Sequence, residues 1–203
     1  MKYEITDFAH PKYPWLHRIR ALINVNEKVP KGSLGGYVQS ESNLSQEGEC
    51  WIYDQAICCE DAVAEEKAGM FDGSIACGAA LLTGDAVMYE RAMADGNCCI
   101  RSGEIKEEAQ VTGYAIIRED PDTKCSPLIF GCSRVYGTVS GNFMIKGNVL
   151  PGENLMNPTK DIFILEDGKW TVLAETKKLH PPEQENQQEQ SATTKKKKNQ
   201  PMR

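Results

Sequence analysis

Few side chains in this 203-residue chain could do covalent or metal chemistry, and they do not cluster. The histidines are His10, His17 and His180. A neutral imidazole is the usual proton acceptor near pH 7, but it needs a reacting proton within hydrogen-bond reach. No Ser-His-Asp arrangement, nucleotide fingerprint or His/Cys/Asp/Glu set with metal-ligand spacing goes with them, so no catalytic residue, metal or cofactor is assigned. Eight cysteines occur as Cys58-Cys59, Cys98-Cys99 and singles, without a CxxC, and read as free thiols in a reducing compartment. Cys59 and Cys77 are spaced to be stacked neighbours, which permits a disulfide or half a metal site; no histidine lies nearby to complete one, and cysteine is a common small buried residue. Lys31-Gly32-Ser33-Leu34-Gly35-Gly36-Tyr37-Val38 is glycine-rich but lacks the spacing of a phosphate-binding loop, and reads as a tight turn. Arg91, Arg101 and Arg118 could touch phosphate; their plain reading is solvated charge.

What must position these residues is a repeat. A small residue returns every sixth position at Ala56, Ala62, Ala68, Ser74, Ala80, Ala86, Ala92 and Cys98. Two places later stand Cys58, Ala64, Met70, Ala76, Leu82, Met88, Ala94 and Ile100, so two positions of one parity point inward on each short strand. Two places further come Glu60, Glu66, Asp72, Gly78, Gly84, Glu90, Gly96 and Ser102, residues suited to a solvent-facing corner or a positive φ. Three such hexads close a triangular coil of about 18 residues. The register slips once and resumes at Gly103/Ile105, Ala109/Val111 and Ala115/Ile117, then again at Ser133/Val135 and Phe143/Ile145. This predicts an all-β chain whose parallel β-helix, left-handed by its hexad class, spans residues 38–150 in roughly five or six coils. A two-layer sandwich would need turn signals every 8 to 12 residues instead.

The outward residue of each strand is apolar more often than a wet surface favours. Stacked by coil, Ile57, Ile75 and Met93 form one external stripe, and Val63, Leu81, Cys99 and Ile116 a second. Another copy of the chain, a different protein or the chain's own C-terminal hairpin could cover them. From Val38 to Asp120 there are 17 acidic residues against five basic ones, a net charge of −12. Much of it falls on corners, at Glu60-Asp61, Glu65-Glu66, Asp72, Asp85, Glu90 and Glu107-Glu108. Such a rod repels nucleic acid and is steered toward a basic surface, unless the acids merely solubilise it. One long excursion, Glu119 to Phe130, leaves the coil; its Leu128-Ile129-Phe130 is either a docking tip or a strand that returns to pack.

The stretch Leu34-Gly35-Gly36-Tyr37-Val38 to Asn43-Leu44-Ser45-Gln46-Glu47-Gly48 and Cys50-Trp51-Ile52-Tyr53-Asp54, with His17-Arg18-Ile19-Arg20-Ala21-Leu22, resembles a family of phage- and prophage-encoded hexapeptide-repeat proteins. The likeness covers the first coils; beyond them only the repeat rule is shared. The family's usual Ala-x-Val-x-Gly-Asn, with a polar first x, is replaced here by the apolar outward residues. The resemblance implies a homo-oligomer, a trimer or dimer, or a host protein with a basic surface as partner. The function it points to is non-catalytic: an accessory factor in the bacterial cytoplasm that engages or inhibits a host component, such as a defence nuclease complex. Two alternatives stand beside it. Acyltransferases of this class use a histidine base from a coil and a coenzyme A groove, and here every histidine lies outside the coils. An oligomeric sponge would hold a small signalling nucleotide in clefts between subunits.

The ends differ from the coils. Residues 1–37 carry Tyr13, Trp15, Leu16, Ile19, Leu22 and Val25, enough to cap an open solenoid end. Residues 151–176 hold a hairpin signal, Asp161 to Leu165 and Lys169 to Leu173 around Glu166-Asp167-Gly168. Residues 177–203 are polar and finish in Lys195 to Lys198, which reads as a disordered basic tail, the one segment suited to touching nucleic acid. No run approaches the roughly 18 apolar residues of a membrane span, and the start lacks the apolar core of a secretion signal.

Overall fold

A computed structural model describes residues 1–174, and the basic tail and His180 lie outside them. The described chain is a parallel β-helix with a single short 3-10 turn at Glu41–Asn43. No helix among the described residues is long and apolar enough to cross a membrane. The first face stacks seven parallel strands: Leu34–Val38, Ile57–Cys58, Ile75–Ala76, Met93–Ala94, Gln110–Val111, Arg134–Val135 and Asn148–Val149. On the second face follow Val63–Ala64, the starts of Leu81–Met88 and Cys99–Ile105, then Ile116–Arg118, Thr138–Gly141 and Asn154–Asn157. The third holds Trp51–Ile52, Gly69–Met70, the ends of the same two long strands, Leu128–Ile129, Phe143–Lys146 and Ile162–Glu166.

The hexad explains this geometry. Ala56, Ala62 and Ala68 at the first inward position let three strands converge on a narrow axis, while Leu82, Met88 and Ile100 at the second fill the space between them. All six have no exposed surface, as close packing of a narrow coil demands. Even at the corners the backbone bonds rung to rung, as from Gln55 N to Asp72 O at 2.8 Å and from Asp61 N to Gly78 O at 2.9 Å. The expected left-handed corners are present: Glu60, Glu66, Asp72 and Glu90 have φ of 56 to 58°. Ser102 departs from the pattern; it is buried at the register slip, and Gly103 takes the positive φ.

Both ends are finished by antiparallel strands. Tyr3–Ala9 pairs with His17–Ala21, which pairs with Leu34–Val38, so the first rung's free edge is covered. Gly36 sits in that rung because a Cβ would stand 2.4 Å from Ala56 O, so close backbone approach, rather than phosphate cradling, explains the glycines. At the far end the solenoid runs past residue 150: Asn154–Asn157 and Ile162–Glu166 are rungs, so the predicted hairpin's first strand is also the last strand of the third face. The hairpin turns through Asp167 and Gly168, both left-handed at φ 49° and 72°, into Lys169–Leu173. About seven turns result, more than the repeat rule alone counts.

Candidate binding surface

The two outward stripes prove unequal. On the first face Ile57 is only 7% exposed, because Leu16 and Tyr37 of the N-terminal segment pack over it, with Ile75 half-buried at their margin. The C-terminal hairpin is one cover that the sequence allows for the stripes; for Ile57 the cover is the N-terminal cap. Met93 is half-buried beyond the cap, and the row then turns polar at Gln110 and Arg134. The second-face row is left uncovered: Val63, Leu81 and Cys99 are half-buried, Ile116 is 37% exposed, and each pairs with the next in register. Leu128, Ile129 and Phe130 are no projecting tip. Ile129 is wholly in the core, Leu128 is an outward rung residue and Phe130 turns the corner after it.

Several acidic corner residues serve the backbone of the next coil. Glu60 accepts from Gly78 N at 2.7 Å, Glu66 from Gly84 N at 2.7 Å, Asp72 from Glu90 N at 2.9 Å and Glu107 from Gly131 N at 2.9 Å. Each carboxylate thus staples one left-handed corner to the next, satisfying an amide that a corner would leave to solvent. Glu108 pairs with Arg91. Asp61 and Glu90 stand exposed and Glu65 half-buried, with no such bond from their carboxylates. The acidic corners are therefore partly structural, with free carboxylates standing between stapled ones.

A staple has a measurable value. Glu66→Ala keeps a Cβ at φ 58° and loses the bond, so its stability should fall by about 1 kcal/mol. Glu66→Gly loses the same bond but relieves about 1 kcal/mol of left-handed backbone cost, and should be nearly neutral. Thermal unfolding checks the order: a drop of about 2–4 °C for alanine and little for glycine. An unchanged melting temperature for alanine would show that the carboxylate does not hold the corner, and equal drops would show that glycine gains nothing at this φ.

The histidines are occupied in the cap. His10 stacks on Tyr13 and takes amide bonds from Lys12 and Tyr13, while His17 Nδ1 donates to Thr6 O at 3.1 Å. Cys59 and Cys77 are free thiols, and burial pushes Cys59 up to about 11, away from thiolate chemistry at neutral pH. No group of three or more His, Cys, Asp or Glu suited to a metal ion occurs among the described residues.

One row was missed in the sequence. Tyr53, Phe71 and Tyr89 stack at the corner after the third face, with centroids 4.2 and 4.9 Å apart and planes 8° and 19° off parallel. Phe71 reaches over Gly69, whose Cβ would meet its ring at 2.8 Å. The row borders an open groove of about 520 Å³ with Lys28 and Lys67. Both faces of the Phe71 ring are taken up by Tyr53 and Tyr89, so the row acts as a spine for that corner. The signal was an aromatic residue at every eighteenth position. A scan of known protein families finds no match to this chain, and a search of curated proteins finds none either.

Proposed function

We propose that this chain is a non-catalytic binding protein that presents its second face to a protein partner. The observation that carries this is the stacked row Val63, Leu81, Cys99 and Ile116, an apolar strip left uncovered on a rigid sheet. Acidic residues Glu60, Asp61, Glu65 and Asp85 stand at the corners on its two sides, which favours a partner with basic residues around an apolar centre. The family resemblance adds the setting: a phage-encoded accessory factor whose partner is a host component, with a second copy of the chain as the other occupant of the strip.

Leu81→Glu is the cleanest test, because Ile75 also supports the cap and its replacement would disturb packing there. The full-length protein and the variant are compared by light scattering for self-association and by affinity capture from a bacterial lysate for a stoichiometric partner. Loss of either association, with an unchanged circular dichroism spectrum, supports the reading. Identical mass and identical captured proteins would remove the strip as an interface. Heat on titration with acetyl-coenzyme A would instead point to acyl transfer.

A further inference from the structure

We propose that the corner between the second and third faces, beneath the long excursion, is an anion site that takes the phosphate group of a small phosphorylated molecule. Arg101 and Arg118 follow paired residues on adjacent rungs, Ile100 against Ile117, so they stack one above the other at the sheet spacing of about 4.8 Å. Like charges in directly neighbouring positions repel. Among the described residues neither arginine belongs to an ion pair, and the side-chain hydrogen bond that Arg101 makes is to Cys99. The two carboxylates of the cleft are engaged by lysines, Asp85 by Lys67 at 3.8 Å and Glu119 by Lys124 at 3.1 Å.

Two buried polar atoms at the same place lack partners. Arg118 Nε and Ser102 Oγ are shielded from solvent without a hydrogen bond, and Ser102 is only 4% exposed. Unsatisfied buried polar atoms are rare in folded proteins and call for a missing partner. Both residues line one cleft of about 340 Å³, together with Arg101 and Lys124. The cleft exists because the chain leaves the coil at Glu119 and returns at Leu128. The excursion is held in shape by Asp120, whose Oδ1 accepts from Thr123 N at 2.9 Å and Asp122 N at 3.1 Å.

A tetrahedral dianion fits these donors better than a carboxylate. It has oxygens enough for two guanidinium forks one rung apart and for the serine hydroxyl, and charge enough to offset both arginines. The cleft also has room for the group that carries the phosphate. Arg101, Arg118 and Lys124 outnumber the two carboxylates of its lining, on a rod that is otherwise acidic.

The test is calorimetric titration of the full chain at low salt with inorganic phosphate and, separately, adenosine monophosphate. Saturable binding is expected, weakened tenfold or more by Arg118→Gln and by Arg101→Gln, and reduced by Ser102→Ala. Arg118→Lys should fall between, since it keeps the charge but loses the fork. Arg91→Gln, on another corner, should bind as the parent does. Tighter binding of the nucleotide would identify a phosphomonoester as the ligand; equal binding would restrict the site to the phosphate group. No saturable heat with millimolar phosphate or nucleotide, or undiminished binding by both arginine variants with unchanged circular dichroism, would overturn the proposal.

Discussion

Replacing Asn43 by alanine should lower the unfolding free energy by about 3 kcal/mol, the largest loss expected from any single polar side chain among the described residues. Asn43 has no exposed surface, and its amide makes four backbone bonds. Nδ2 donates to Glu60 O and Ala62 O, both at 2.9 Å, and Oδ1 accepts from Gln39 N at 3.1 Å and Ser40 N at 2.9 Å. It thereby ties the first coil to the second where the chain has no strand to do so. Alanine leaves these groups without a partner, and each such group costs about 1 kcal/mol or more when shielded from water. Asn43→Asp has the same shape but should be no better, because a carboxylate oxygen would then face two carbonyl oxygens. Asn157 plays the matching part in the last turn, donating to Asn142 O at 3.0 Å and Asp161 O at 2.7 Å. Its loss should cost less, since a terminal coil can fray without unfolding its neighbours. Urea unfolding of the three variants decides the matter; Asn157→Ala equal to or worse than Asn43→Ala would show that the first turn is not the one on which folding depends.

The coil was legible because its period rests on volume. Only a small side chain fits beside the corner of a narrow triangular coil, so alanine recurs wherever the chain bends, and Ala56, Ala62 and Ala68 read the same in sequence and structure. The left-handed corners were legible for a similar reason: glycine and acidic residues at one fixed place in the hexad mark backbone that other residues avoid. The extra coil was not, because Asn154–Asn157 and Ile162–Glu166 carry large residues at different intervals and one of them doubles as a hairpin strand. The fate of Ile57 was hidden as well. Its cover comes from Leu16, far away in sequence, and no local pattern encodes a contact between a cap and a sheet face. Charge was read correctly in amount and only partly in purpose: composition counts Glu60 and Glu66 as surface charge, whereas their Oε2 atoms hold the next corner's amide. The candidate anion corner needed both levels. The arginines stood out by type, but the stacking of Arg101 on Arg118 depends on the register slip that shortens that coil by one residue.

The buried thiols should make the protein sensitive to alkali. Burial pushes the Cys98 thiol from an ordinary value of 9.0 up to about 12, with Asp95 nearby adding to the rise, and pushes Cys58, which has no exposed surface, well above that ordinary value. In the folded chain both stay protonated at a pH where the unfolded chain has released its protons. The unfolded state therefore binds fewer protons, and stability must fall as pH rises above about 9, continuing until the folded thiols themselves ionise. At pH 10 the loss amounts to about 1.4 kcal/mol for each thiol, on the order of 3 kcal/mol for the two. The stacked neighbours of these residues are already alanine: Ala76 and Ala94 follow Cys58 along its column, while Ala80 and Ala115 flank Cys98. The double variant Cys58→Ala/Cys98→Ala fits the same space and should cost about 1 kcal/mol per site at pH 7 from the missing sulfur. At pH 10 the ranking should close or invert, since the variant no longer gains two ionisable groups on unfolding. Urea midpoints at the two pH values measure this directly. A stability difference that stays constant from pH 7 to pH 10 would show that these thiols are not held protonated by the fold; a crossing would show that the narrow axis of the coil excludes charge as strictly as it excludes volume.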